Sequence, residues 1–166
     1  MPHLRLEVAE EWLREEFKLA TGFDAKKLLD HLVQVVAGLR MEKPAIEARV
    51  DANGKPIAPE MVPMINLSNL KHAIVPLHHA HVAGDPSKRF LHVTLSAGND
   101  TPGRTAAVRL RAAQILGDEV DQFMGALPFL TGLLASVTAH VQDIDRDRGY
   151  STTAERRKKR DAARVN

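Results

Sequence analysis

The sequence predicts an α+β fold in which two strand–helix–strand units form one four-stranded sheet with both helices on a single face. Three observations carry that prediction. Residues 3–8 alternate, with Leu4, Leu6 and Val8 on one side and His3, Arg5 and Glu7 on the other, as a half-buried strand does. A helical repeat of Leu28, Leu29, Leu32, Val35, Val36 and Leu39 follows. The same order of elements then recurs in the second half, where Leu91-His92-Val93-Thr94-Leu95 stands opposite Pro2-His3-Leu4-Arg5-Leu6 at an offset of 89 residues.

The elements follow in order. Residues 9–21, with Trp12, Leu13 and Phe17 among several glutamates, suit a short helix or an ordered loop. Asp24 is a natural N-cap for a helix over 25–39, which Gly38 and then Pro44 bring to an end. Alternation over 46–50 predicts a second strand, closed by a turn at 51–56. Strands joined through a helix of this length are usually parallel. Residues 51–88 carry Pro56, Pro59, Pro63 and Pro76 between apolar stretches and are expected to form a folded excursion; 72–75 and 77–82 suit a strand broken at Pro76. Residues 89–95 predict a strand, 102–124 a helix opened by Pro102 and capped by Asp100 or Thr101, and 134–141 a last strand. The expected organisation is one domain over 1–145, made of halves 1–50 and 89–145 around the excursion, followed by a tail over 146–166.

Composition bounds the function. The 166 residues, 44% hydrophobic and 27% charged, suit a globular protein that buries roughly 70% of its unfolded surface. No apolar run reaches the roughly 20 residues of a membrane helix, and the start lacks the pattern of a signal peptide, so a cytoplasmic protein is expected. Without cysteine there is no thiol nucleophile, disulfide or cysteine-bound zinc. The net charge of +2 is unevenly placed: residues 154–166 hold six basic against two acidic side chains, which leaves the body at −2. The sequence pI near 9.0 therefore owes much to the tail and does not argue for a fold that grips nucleic acid.

Candidate chemistry begins at Met1-Pro2. Removal of the methionine would leave a secondary amine at the head of a strand, positioned as a side-chain base would be. Arg104, expected in the first turn of its helix, is unfavourable for the helix dipole unless an anion binds there. Arg49 lies on the opposite strand face from Ala48 and Val50 and suits a ligand contact or a salt bridge; Arg40 and Arg5 are weaker candidates. His78, His79 and His81 have no evident carboxylate partner nearby, and no metal is expected. His3 and His92, equivalent in the repeat, read as structural hydrogen-bonders.

Taken together, Met1-Pro2-His3 before a strand, Ala48-Arg49-Val50, Phe90-Leu91-His92-Val93-Thr94-Leu95 and Gly103-Arg104-Thr105 resemble the tautomerase superfamily, and within it the 5-carboxymethyl-2-hydroxymuconate isomerase family. The resemblance covers residues 1–50 and 80–145. It implies a homo-oligomer, a trimer by preference, that uses no cofactor. It implies Pro2 as the catalytic base, with Arg104, Arg49 and Arg40 binding an anionic small-molecule substrate in the catabolism of aromatic compounds. Glu47 stands where the family tends to carry an arginine, the 51–80 connection is longer than usual, and the basic tail looks foreign to the family. Two other readings stay open: a related proline-dependent decarboxylase or hydratase, and a non-catalytic oligomeric binding protein. The sheet face without helices is expected to be buried between subunits.

Overall fold

The structure, a computed structural model, describes residues 2–43, 51–55, 57–78, 81–82, 85–98, 103–130 and 134–144. Strand β1 (His3–Ala9) follows the predicted alternation, with Leu4, Leu6 and Val8 fully buried and Arg5 exposed. A 3-10 turn over Glu10–Leu13 and helix α1 (Glu15–Thr21) come next. Trp12 stacks on Phe17 with centroids 5.3 Å apart and meets Phe23 edge-on at 5.4 Å. These rings hold the short helix, which is too brief to persist alone. Gly22, at φ 77°, ends it in the left-handed conformation that a side chain would strain.

Helix α2 (Ala25–Gly38) starts where Asp24 accepts hydrogen bonds from the backbone N–H groups of Lys26 and Lys27. It buries Leu28, Leu29, Leu32 and Val36, each such burial being worth about 1.5–3 kcal/mol. Strands β2 (Arg40–Glu42) and β3 (Met61–Pro63) then pair antiparallel as a separate two-stranded ribbon.

The main sheet is built from β4 (Lys71–Leu77), β1, β6 (Asp85–Gly98) and β7 (Leu134–Ile144), in that order, with the two-residue strand β5 (His81–Val82) added to β6. β1 is parallel to β4 and antiparallel to β6, and β6 is parallel to β7. Helix α3 (Ala106–Gly125) crosses over between β6 and β7, as α2 does between β1 and β4. The four-stranded α+β architecture is as expected. Leu4 pairs with Leu95 and Leu6 with Val93, so one face carries the buried residues of both central strands, and both α2 and α3 pack on it. No helix among the described residues is long and apolar enough to cross a membrane.

The register shows how the two units are related. Arg5 and Thr94, which an offset of 89 makes equivalent, are direct partners at the middle of the β1–β6 pairing. Two antiparallel copies related by a two-fold axis must pair an equivalent residue with itself at the axis, so the register supports the repeat.

Three expectations are corrected. The parallel partner of β1 is β4, whereas the strand expected over 46–50 lies outside the described residues. Residues 51–88 therefore hold β3, β4, β5 and the start of β6, and the first unit closes inside the stretch expected to be an excursion. Strand β4 also runs unbroken through Pro76, which an edge strand tolerates because one side of its backbone needs no N–H. The helix expected over 102–124 begins at Ala106, with the Thr105 hydroxyl accepting from the N–H of Val108; Asp100, Thr101 and Pro102 lie outside the described residues. The tail over 146–166 lies outside them too.

The sheet face away from the helices is polar. Rows of paired residues place Lys71, His3, Ser96 and Gln142 in one line, and Ala73, Arg5, Thr94 and His140 in the next. Gln142 donates to Ser96 Oγ across 2.9 Å. A face of this composition is not a dry apolar surface in need of cover, which weakens the argument that exposure alone calls for a partner.

Candidate active site

Pro2 is half-buried and directly precedes β1; its carbonyl accepts a hydrogen bond of 3.0 Å from the backbone N–H of Lys71. This bond continues the β1–β4 ladder one step beyond the His3–Lys71 pair. On the other side His3 is paired with Ser96, so Pro2 sits at the end of the sheet where β6 runs out through Ala97 and Gly98. The β4 bond to its carbonyl and the pairing of His3 with β6 thus position residue 2.

Arg104 reaches the same end. Its guanidinium donates to the carbonyl of Gly98, two residues or about 7 Å along β6 from the partner of His3, and at 3.2 Å to the carbonyl of Met64. It lies one residue ahead of the α3 cap rather than inside the first turn, so the expected clash with the helix dipole does not arise. Backbone carbonyls receive its protons, and its own carbonyl accepts from Arg109 across 3.0 Å. The structure therefore brings Pro2 and Arg104 to one end of the sheet.

Arg40 is placed differently. Its guanidinium donates to the carbonyls of Ala37, at 3.0 Å, and Leu39, at 3.4 Å, and it lines a groove whose described lining does not include Pro2. A chain of hydrogen bonds connects it to the sheet end, because Met64 donates its N–H to Leu39 and accepts from Arg104. Arg49 lies outside the described residues, as does His79. His78 contacts Glu10 through Nδ1 at 2.6 Å.

The electrostatics of this corner disfavour an added positive charge. The His3 imidazole is held below its ordinary value of 6.5, first by desolvation, then by the positive amino terminus, Arg5 and Lys71. Lys71 was not evident as part of the site from the sequence. It enters through the β1–β4 register, a contact between residues 68 positions apart that no local pattern marks.

No protein-family model and no curated protein sequence matches the chain. Solved structures do. One, a 5-carboxymethyl-2-hydroxymuconate delta-isomerase, superposes with a TM-score of 0.60 over 95% of this chain and 91% of its own, at 14% identity. A second, a 5-carboxymethyl-2-hydroxymuconate isomerase from Deinococcus radiodurans R1, gives a TM-score of 0.51 over 92% and 89%, at 19% identity. At such identities the likeness is one of fold. Two strand–helix–strand units about a pseudo-two-fold axis, matched over nearly the whole of both chains, give this protein the tautomerase-superfamily fold.

Proposed function

We propose that the protein is a cofactor-independent isomerase that moves a proton within an unsaturated hydroxy- or oxo-dicarboxylate such as 5-carboxymethyl-2-hydroxymuconate. Pro2, made the amino terminus by removal of Met1, is its general base. The observation that carries this reading is the placement of Pro2 at the end of β1, held by Lys71 and sharing that sheet end with Arg104.

The prolyl nitrogen takes a proton from a carbon or enol oxygen of the substrate and returns it elsewhere on the conjugated system, so no net change of charge or oxidation state results. Half-burial of Pro2 disfavours a charged form there, and a base is most effective when its pKa lies near the working pH. Arg104 takes a substrate carboxylate and stabilises the negative charge that spreads onto the carbonyl oxygen. Arg49 is assigned the second carboxylate. Arg40 is not enlisted, because the groove it lines does not include Pro2 among its described lining residues. The cytoplasm, aromatic catabolism and a homotrimer belong to the same proposal.

Covalent labelling tests it. The protein is treated with an electrophilic alkynyl 2-oxo acid, which a secondary amine attacks at the alkyne carbon to form a stable C–N bond. Peptide mass mapping is expected to find one adduct per chain, on Pro2, in chains that have lost Met1, with parallel loss of ketonisation of a simple enol. Full labelling at another residue, or labelling of Pro2 with turnover intact, overturns the proposal.

A further inference from the structure

The β2–β3 ribbon, the carboxyl end of α2 and one face of α3 enclose an open groove of about 840 Å³, within the range of small-molecule sites of about 300–1,000 Å³. Helix α3 lines it with Thr105, Val108, Ala112, Ile115 and Glu119, a single face extending over roughly 21 Å at 1.5 Å per residue. An elongated molecule would cover such a face. Met41 and Met64, both almost fully buried, form part of its floor, and methionine adapts to chains of varied shape.

Charged residues line it too: Arg40, Lys43 and Arg111 on the basic side, Glu42 and Glu119 on the acidic. Lys43 is paired with Glu60 and Glu119 with His31, each at 2.7 Å. Arg111 is exposed, and among the described residues it forms no ion pair. The amino end of α3, at Gly103–Thr105, opens onto the same groove and adds a partial positive charge. The basic tail is a poor occupant for a groove of this sign, since residues 154–166 carry +4. A small dicarboxylate would leave most of the roughly 21 Å helix face uncovered.

We propose that this groove binds an elongated amphipathic monocarboxylate, its carboxylate at Arg111 and its alkyl chain along Met41, Met61 and Val108, at a site separate from Pro2. The proposal does not depend on Pro2 being a base. Decanoate and decanol, each kept below the concentration at which it self-assembles, are the probes, titrated calorimetrically into the full chain. Saturable binding of one decanoate per chain is expected, with decanol at least tenfold weaker. Arg111→Glu and Met61→Glu, both at exposed positions, are each expected to weaken decanoate at least tenfold, or about 1.4 kcal/mol, with unchanged thermal midpoints and unchanged enol ketonisation. Absence of saturable decanoate binding overturns the proposal, as does equal binding by both variants. Competition between decanoate and the enol substrate overturns the separation of the two sites.

Discussion

The two strand–helix–strand units share a sheet and a core but differ at the two places where sites are proposed. In the first unit the chain arrives at the sheet end as Pro2; the equivalent position in the second unit is Leu91, fully buried in the middle of β6 with its nitrogen locked in an amide. Only the first unit can present an amine. The crossovers also differ. His3 is 68 positions from its parallel partner Lys71, whereas its equivalent, His92, is 46 from Thr138. The additional 22 residues of the first crossover accommodate the β2–β3 ribbon that walls the groove. The comparison teaches that the repeat supplies the scaffold, and that both proposed sites lie where the units depart from it.

The equivalence can be broken at the core first, where the largest effects on stability lie. Leu6 and Leu95 are equivalent under the repeat and both fully buried. Leu6→Ala and Leu95→Ala are each expected to cost about 2–5 kcal/mol in urea unfolding, from lost burial plus the cavity left behind. If one substitution is nearly neutral while the other is costly, the core is not shared in the way the register implies.

The helix caps sharpen the comparison with smaller effects. Asp24→Ala and Thr105→Ala are each expected to cost about 1 kcal/mol, and Asp24 the more, because it also bonds Lys18 at 2.9 Å. Lys18 holds the Asp24 carboxyl below its usual range; burial opposes this, and the N–H groups of Lys27 and Lys26 assist it. As pH falls past about 3.9 the unfolded carboxyl protonates first, so this contribution is lost from there downward until the folded group also protonates. A pH series of unfolding midpoints on Asp24→Asn is expected to lack that loss.

The smallest effect concerns His3. Its pKa is lowered in the fold, so as pH falls below 6.5 the unfolded chain binds the proton first, and stability declines until the folded imidazole also titrates. Carbon-bound proton shifts of the imidazole rings in NMR are expected to give His3 a midpoint below 6.5. A midpoint above it would mean that burial and the neighbouring cations do not act on His3 as this sheet end implies.

Much of the scaffold was legible in the sequence because its signals are local. The alternation at Leu4, Leu6 and Val8, the apolar spacing from Leu28 to Val36 and the Asp24 cap each lie within a few residues, and all produced the expected elements. The β4 assignment was obscured because Pro76 reads as a break, and only an edge position makes it acceptable. The site was less legible. Pro2 is marked by its own chemistry, but the partners of Arg104, the carbonyls of Gly98 and Met64, are backbone groups with no residue signature. The role of Lys71 depends on a strand register set by contacts far apart in sequence.

The central claim is that the unit beginning at Pro2 differs from its copy by carrying a free secondary amine. The most direct measurement compares kcat/KM for enol ketonisation in two preparations, one whose intact mass shows Met1 removed and one in which an additional residue ahead of Met1 prevents removal. The account predicts that the blocked chain is slower by about 10²–10⁴, the contribution of a positioned base, with an unchanged thermal midpoint. Equal kcat/KM in the two preparations would contradict it.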